Sequence, residues 1–265
     1  MSPKPTFVFI HGSWHNPSTW DKVAPPLEAQ GYKCVLVSLP SSSPTATAST
    51  TFLDDLTAAR NAIISETTQG RDVVVVVHSY GGIVGASAIK DLAKPKERTP
   101  EDKAGHVIGL ALIATGFAST GMSFLDPMGG TPPPFFTLDP SGFAVLAVDP
   151  REFFYHDLSD EEAKYRVGKL EKQAAGALKD GGEHVYSGWK DVPCWFLATV
   201  EDRGLPIEVQ RMLVGMARLE GADVVLREVQ SGHSSFFSRS EETVGFLVDA
   251  VTAFAKRKDG SSIFV

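Results

Sequence analysis

The sequence predicts an α/β fold with a mostly parallel β-sheet covered by helices on both sides. Residues 73–77 are five consecutive valines, which favour a buried strand because β-branched side chains are stiff and fit a pleated surface. Such a strand is apolar on both faces, which is typical of parallel sheets covered on both sides. Further apolar runs alternate with amphipathic stretches, and 265 residues suffice for one large α/β domain with an insertion.

The first part of the chain alternates strands and helices. Strands are predicted at residues 6–10, 33–37, 73–77 and 107–113. Helices are predicted at about 18–31 and 52–70, each ending at a glycine, and another follows residue 82. Residues 40–50 are a loop by composition, and residues 90–103 form a charged surface segment.

The pattern breaks after residue 118. Residues 119–189 are rich in aromatic side chains and are predicted to form an inserted helical lid, with helices over 160–170 and 171–178. The remaining elements are predicted as strands at 192–198 and 224–229, helices at 207–219 and 241–256, and a frayed tail at 257–265. The predicted core therefore comprises residues 1–118 and 190–265, and the lid comprises residues 119–189.

The composition limits the expected binding partners and the expected cellular compartment of the protein. The net charge is −7 and no basic patch is present, so nucleic acid is not an expected partner. Cys34 and Cys194 lie in apolar runs and are predicted to be buried free thiols, which with the absence of a signal peptide favours a cytoplasmic protein. No apolar run is long enough to span a bilayer. We expect no metal and no cofactor, and the sequence leaves open whether the protein is a homodimer.

Ser79 is the candidate nucleophile. It lies in His78-Ser79-Tyr80-Gly81-Gly82, between the valine strand and a helix, which is the setting of a nucleophile elbow. The elbow pattern is G-x-S-x-G, and Val77 replaces its first glycine. We expect a small outward adjustment at Val77 rather than the loss of the elbow.

A serine nucleophile needs a base and a group that orients the base. His233 is the candidate base, because it alone among the histidines lies in a glycine-flanked loop after a late strand. Asp202 is the candidate acid, because Gly204 and Pro206 form a turn that can direct it over the sheet, and Glu201 is the weaker alternative. The pairs Asp54-Asp55 and Glu161-Glu162 are interpreted as solvated helix faces.

Acyl transfer also needs donors for an oxyanion. The backbone N–H groups of Tyr80, which follows the nucleophile, and of Ser13, in the loop after the first strand, are the candidates, and Gly12 allows that loop to turn tightly. The Trp14 side chain either shapes the acyl pocket or only packs. The other candidate pocket residues are Gly12, Phe117, Phe135, Phe136, Tyr155 and Ser234.

The sequence resembles the α/β-hydrolase superfamily, and within it the branch of plant methylesterases (salicylate-binding esterases) and hydroxynitrile lyases. The resemblance covers nearly the whole chain and is weakest over 119–145. It rests on four stretches: residues 7–15 with Trp20 and 27–32; residues 78–82; residues 149–159; and residues 201–206 with Gln210, Arg211, Gly232 and His233. It implies Ser79, Asp202 and His233 as catalytic triad and Ser13 and Tyr80 as oxyanion donors.

Two departures help to choose a reaction. The lyases of this branch carry threonine at the position of Gly12 and lysine at that of Ser234, and the lysine helps cyanide to leave. Their absence argues against cyanohydrin cleavage and favours a metal-free carboxylesterase that acts on an ester of a small apolar or aromatic acid. One open alternative is another reaction with the same triad: a C–C bond hydrolase or lyase, a lactonase or a cyclase that acts on a biosynthetic intermediate. The others are a ligand receptor on a hydrolase scaffold and a peptidase.

Overall fold

The computed structural model describes residues 4–95 and 104–256. Its strands are β1 (Thr6–Ile10), β2 (Lys33–Val37), β3 (Val73–His78), β4 (Val107–Ile113), β5 (Phe136–Leu138), β6 (Phe143–Leu146), β7 (Gln173–Ala174), β8 (Cys194–Thr199) and β9 (Val224–Val229). Its α-helices are α1 (Ala24–Ala29), α2 (Phe52–Thr67), α3 (Gly81–Ala88), α4 (Pro150–Phe154), α5 (Asp160–Val167), α6 (Gly176–Lys179), α7 (Ile207–Leu219), α8 (Ser235–Ser238) and α9 (Ser240–Lys256). Short 3-10 helices lie at Pro17–Trp20, Pro40–Ser42, Asp126–Met128, Gly182–His184 and Gly188–Lys190.

The predicted parallel sheet is confirmed. Six strands pair in the order β2-β1-β3-β4-β8-β9, and every pair in this sheet is parallel. The valines of β3 are fully buried, because β3 lies between two neighbours and helices cover both faces. Helices α2 and α3 pack against each other, and α1 packs against α9. The carboxyl ends of the parallel strands meet at one edge, and the candidate site lies at that edge.

The first helix differs from the prediction. Residues 17–20 form a 3-10 turn, and an α-helix begins anew at Ala24. Pro25 and Pro26 lack the backbone N–H that the interior of a helix requires, so they are accommodated only in a first turn. The prediction of one continuous helix from residue 18 to residue 31 was therefore wrong.

The lid segment (residues 119–189) lies between β4 and β8 and is not entirely helical. It contains an antiparallel three-stranded sheet, β5-β6-β7. Helix α5 begins at Asp160 with Ser159 as its cap, close to the prediction. Residues 171–178 were predicted to be a helix, which is wrong, because Gln173 and Ala174 pair with β6 before α6 begins.

Several smaller predictions can be compared with the structure. Neither cysteine forms a disulfide within the described residues, but Cys34 is only half-buried because β2 is an edge strand, whereas Cys194 is buried. Part of the predicted surface segment (96–103) and the tail (257–265) lie outside the described residues. Within residues 4–95 and 104–256, no helix is both long and apolar enough to cross a bilayer.

Candidate active site

Ser79 lies in a sharp turn between β3 and α3. Its φ is +51°, a conformation that non-glycine residues rarely adopt. The turn is stabilised by the carbonyl of Ser79, which accepts hydrogen bonds from Gly82 N–H (2.9 Å) and Thr115 Oγ1 (2.6 Å). The Ser79 side chain is partly exposed and makes no hydrogen bond within the described ranges, so its hydroxyl is free to turn toward a base.

Val77 fits this elbow because a glycine faces it. A Cβ added to Gly85 of α3 would lie 2.3 Å from Val77 Cγ1, so the missing side chain of Gly85 makes room for the valine. A Cβ on Gly81 would lie 2.6 Å from the backbone oxygens of Ile10 and His11, which shows how closely α3 approaches β1. The elbow is retained as expected, and Gly85 provides the physical reason.

His233 and Asp202 form a buried pair. His233 Nδ1 lies 2.8 Å from Asp202 Oδ2, and the two residues are 4% and 7% exposed. A carboxylate accepts and the ring nitrogen donates, so the proton is placed on Nδ1 and Nε2 is left with a lone pair. The sequence-predicted acid and base therefore lie together, whereas the side chain of Glu201, the weaker candidate acid, is exposed.

Asp202 is surrounded by donors. Its Oδ1 accepts the N–H groups of Gly204 (2.7 Å) and Leu205 (2.8 Å), and its Oδ2 accepts the Thr199 hydroxyl (2.7 Å). Burial disfavours the charged form, but the electrostatic attraction of His233 and these hydrogen bonds outweigh it and lower the pKa of Asp202 below its usual value. The carboxylate is thus held ionised and oriented toward the imidazole.

One turn of the lid segment binds the loops that carry this pair. Asp157 Oδ2 accepts the N–H of Gly232 at 2.7 Å, and His156 Nε2 donates to the carbonyl of Glu201 at 2.9 Å. Gly232 and Glu201 directly precede His233 and Asp202 in the sequence. The lid segment therefore helps to fix the relative position of the acid and base loops.

The loop after β1 presents Ser13 N–H at the same edge. The carbonyl of Gly12, in the same peptide as that N–H, accepts from His11 Nδ1 (3.0 Å) and from His15 N–H (3.3 Å). Because the C=O and N–H of a trans peptide point in opposite directions, these bonds direct Ser13 N–H away from His11. A Cβ added to Gly12 would lie 3.0 Å from Ser79 Cβ, so this loop lies directly against the candidate nucleophile.

Tyr80 N–H is available beside Ser79. Tyr80 is the residue before α3, and neither its N–H nor that of Ser13 donates to a protein group in the described part of the chain. The N-terminus of a helix favours a developing negative charge. The two predicted oxyanion donors therefore flank Ser79 from the elbow and from the β1 loop.

Three buried histidines line the base of the site and stay neutral. Burial lowers the pKa of His11 to about 4 and that of His15 to about 3, and it lowers the pKa of His78 well below its usual value. His78 Nε2 donates to the carbonyl of His233 at 3.0 Å, and the two rings lie 4.6 Å apart. His78 thus connects the elbow to the base loop without carrying charge.

The aromatic residues near His233 come from the lid segment. Phe153 and Phe154 have ring centroids 6.3 Å and 5.7 Å from that of His233. Phe135 packs on Phe153 at 4.7 Å, so it belongs to the same aromatic group. Sequence reasoning named Phe135 but not Phe153 or Phe154 as pocket residues, although it placed the Phe-Phe pair in the lid.

The other predicted pocket residues have different environments. Phe136 packs on Trp14, which is 7% exposed and whose Nε1 donates to Ala144 O at 2.9 Å, so Trp14 packs against the lid segment. Tyr155 is buried with its hydroxyl 2.9 Å from His15 Nε2, and burial raises its pKa. Phe117 packs on Trp189 and Phe196, and among the described residues its ring makes no contact with those of Phe135, Phe153 and Phe154.

Ser234 is fully buried, and its Oγ has no partner among the described residues. It directly follows His233, at the start of α8. No group of three or more histidine, cysteine or acidic side chains within the described ranges is arranged to hold a metal ion.

Asp55 was misassigned from the sequence. It was interpreted as part of a solvated helix face, but it is fully buried, while Asp54 beside it is exposed and caps α2 together with Thr51. Asp55 Oδ2 accepts the Tyr80 hydroxyl at 2.8 Å. The sequence carries no signal for this contact, because the pairing depends on how α2 packs against α3.

A strained serine after a central parallel strand, with an acid and a histidine following later strands in that order, is the arrangement of an α/β-hydrolase. Residues 7–246 match the alpha/beta hydrolase family, and the chain belongs to that family. The predicted fold and enzyme class are thereby confirmed, and the protein is a hydrolase.

Similar proteins include a fungal alpha/beta hydrolase, a plant methylesterase and an esterase of known structure. The chain is 26% identical over 247 residues to alpha/beta hydrolase nvfD of Aspergillus novofumigatus, covering 93% of this chain and 96% of that one. It is 24% identical over 278 residues to methylesterase 1 of Arabidopsis thaliana, covering 95% and 97%. The crystal structure of polyneuridine aldehyde esterase superposes with a TM-score of 0.71 at 20% identity, covering 93% of this chain and 98% of that one.

Proposed function

We propose that the protein is a carboxylesterase that cleaves an ester of a small apolar or aromatic acid through an acyl-enzyme on Ser79. The observation that carries the proposal is the 2.8 Å contact between His233 Nδ1 and Asp202 Oδ2. With the proton on Nδ1, His233 Nε2 can accept a proton. The carbonyl of His233 accepts a hydrogen bond from His78, the residue before Ser79, so the base loop is joined to the elbow.

The acylation step follows from these positions. His233 Nε2 takes the proton of Ser79 Oγ as Oγ attacks the ester carbonyl carbon, and the carbonyl oxygen becomes an oxyanion bound by the N–H groups of Ser13 and Tyr80. The imidazolium then protonates the departing alkoxide, and the C–O bond to the alcohol breaks. Asp202 stabilises the imidazolium while it exists.

Deacylation reverses these roles. Water attacks the acyl carbon while His233 Nε2 removes one of its protons, and a second oxyanion forms on the same two N–H groups. Collapse of this intermediate breaks the bond to Ser79 Oγ, which recovers the proton from His233. The acid is released, and no group other than these side chains and peptides is needed.

The aromatic wall formed by Phe135, Phe153 and Phe154 supports an apolar or aromatic acyl group in the substrate. Phe135, Phe153 and Phe154 offer ring faces and edges beside His233, and the neighbouring histidines stay neutral. Such a wall binds apolar surface and excludes water from the oxyanion. The names of two relatives, methylesterase 1 and polyneuridine aldehyde esterase, support an ester as the substrate.

Two positions argue against cyanohydrin cleavage. A side chain at Gly12 would meet both His78 Nδ1 and Ser79 Cβ at 3.0 Å, so the threonine of the lyases does not fit without a shift. Ser234 is fully buried, and a lysine there would place an uncompensated charge in the interior. Both features favour hydrolysis over the lyase reaction.

The test is ester turnover by the wild type and by Ser79→Ala. The wild type should hydrolyse p-nitrophenyl acetate, butyrate and benzoate faster than the palmitate, and Ser79→Ala should lose at least about 10⁴-fold in kcat. A fluorophosphonate should label Ser79, as located by mass spectrometry. Ser141→Ala, which changes an exposed serine of the lid segment, is the matched control and should keep full activity. Equal turnover by the wild type and Ser79→Ala, or labelling elsewhere, would refute the proposal.

A further inference from the structure

Asp55 is a carboxylate buried directly beneath the elbow. It is 0% exposed, and no basic side chain in residues 4–95 or 104–256 forms an ion pair with it. Its oxygens accept three hydrogen bonds from neutral donors: Ser41 N–H to Oδ1 at 2.8 Å, and the Ser41 and Tyr80 hydroxyls to Oδ2. A buried carboxylate is unfavourable unless it is compensated, so its role lies in what it holds in place.

One of the groups that Asp55 holds is a predicted oxyanion donor. The Tyr80 hydroxyl donates to Asp55 Oδ2 at 2.8 Å, with the carbonyl of Ala177 3.3 Å away. The backbone N–H of the same tyrosine lies next to Ser79. A buried side chain that is fixed at its far end restricts the rotation of its own backbone, and hence the direction of that N–H.

The network continues from Asp55 to the second donor loop. Gln173 Nε2 donates to Ser41 Oγ at 3.0 Å, and Gln173 Oε1 accepts Trp14 N–H at 3.4 Å. Trp14 follows Ser13 and has a φ of +59°, so its conformation needs external support. The carbonyl of Trp14 also accepts Glu171 N–H at 2.8 Å. A continuous chain of hydrogen bonds therefore joins Tyr80 to the loop that carries Ser13.

We propose that Asp55 is a positioning residue of the oxyanion site: through Tyr80 on one side and through Ser41 and Gln173 on the other, it keeps the two donor peptides aligned. This inference rests on the proposed function, because it assigns to Asp55 an effect on the same ester hydrolysis. Asp55 contacts no reacting atom. Its effect arises because preorganised donors stabilise an oxyanion only when they point at it.

The decisive variant is Tyr80→Phe, which removes the hydroxyl but keeps the ring and the backbone N–H. We expect kcat to fall about 10-fold with KM within about 2-fold, since less is lost than when a donor is deleted. Affinity for a trifluoromethyl ketone, which forms a tetrahedral oxyanion on the nucleophile, should fall in parallel. Asp55→Ala should lose more, and Asp55→Asn, which keeps one acceptor oxygen, should lie between the wild type and Asp55→Ala.

The matched control is Glu66→Gln at the opposite end of α2. Glu66 is also buried, 3% exposed, but it pairs with Lys33 and Arg71 and does not contact the site. This variant should lower Tm and leave kcat, KM and ketone affinity unchanged. If Tyr80→Phe also lowers only Tm, Asp55 is merely structural and the inference is wrong.

The two proposals fail in different ways. If Ser79→Ala abolishes turnover while Tyr80→Phe matches the wild type in kcat and ketone affinity, only the positioning role is refuted. If Ser79→Ala keeps full turnover, the proposed function and the role of Asp55 are both refuted. Should Asp55→Ala not fold, Tyr80→Phe decides the question by itself.

Discussion

Asp202 and Asp55 are two buried carboxylates near the candidate site, one beside His233 and the other beside the Tyr80 hydroxyl, and they differ in what compensates their charge. Both accept hydrogen bonds on each oxygen. Asp202 also faces His233, and its pKa is lowered although burial opposes this. Asp55 meets only neutral donors, and burial raises its pKa to about 6 against the hydrogen bonds from Ser41 and Tyr80. Neutral donors therefore orient a carboxylate but do not replace a basic partner in keeping it ionised.

The difference also assigns separate tasks to the two sides of the site. On the acid–base side, a charge must be stabilised each time His233 becomes protonated, so an ionised Asp202 is required. On the oxyanion side, the charge forms on the substrate, and the protein supplies only directed N–H groups. Asp55 needs to hold Tyr80 and Ser41 in place, whatever its own charge.

The largest expected effect comes from removing the charge of Asp202. Asp202→Asn keeps the size of the side chain but no longer fixes the proton on His233 Nδ1, and kcat for a p-nitrophenyl ester should fall about 10⁴-fold. Steady-state kinetics of the purified variant measures this loss. Glu201→Gln, which changes the exposed neighbouring carboxylate, is the matched control and should retain wild-type kcat. If only Glu201→Gln lost activity, Glu201 and not Asp202 would be the acid.

The second-largest expected effect is on the free energy of unfolding, and it depends on the protonation of Asp55. The pKa of Asp55 in the fold, about 6, exceeds that of an unfolded chain, about 3.9, so the folded protein holds this proton more tightly. This contribution to stability is fully present below about pH 4 and is lost as pH rises through about 6. The free energy of unfolding of Asp55→Asn relative to the wild type should therefore rise by about 2 kcal/mol between pH 4 and pH 7.

Urea unfolding at pH 4, 5, 6 and 7 measures this change. Tyr80 and Asp54 are the ionisable neighbours that act on Asp55, and both are retained in the variant. Glu66→Gln gives a control of opposite sign. Burial opposes ionisation of Glu66, but its bonds to Arg71, Lys33 and Thr6 lower its pKa to about 2, so its contribution is lost as pH falls. A flat difference for Asp55→Asn would show that Asp55 is not protonated near pH 6.

The smallest effect concerns the support that the lid segment gives to the acid–base side. Asp157→Ala removes the acceptor for Gly232 N–H, and we expect a loss of about 10-fold in kcat as the His233 loop gains freedom. Asp157→Asn keeps an acceptor oxygen and should recover most of this activity. KM should change little in either variant. Equal activity of Asp157→Ala and the wild type would mean that the acid–base loops do not depend on this turn.

The elements predicted best are those fixed by local pattern and chain order. The buried valines of β3, the sharp turn at Ser79 and the proximity of Asp202 to His233 follow from side-chain shape, periodicity and the order of strands. The new helix start at Ala24, just before Pro25, was missed, although the missing N–H of proline was visible in the sequence. The three-stranded sheet of the lid segment was missed because β7 is only two residues long.

The sequence by itself determined the alternating β and α elements and the class of enzyme, and it singled out the three residues of the candidate triad, because local patterns along the chain mark each of them. Only the tertiary structure decided that Gly85 makes room for Val77, that Asp55 is buried beneath Tyr80, and that Gln173 of the lid segment reaches Trp14. These contacts join segments from different parts of the chain, and no local pattern encodes them. For that reason the hydrogen-bond network behind the two predicted oxyanion donors, which depends on long-range packing, was far less predictable than the elbow.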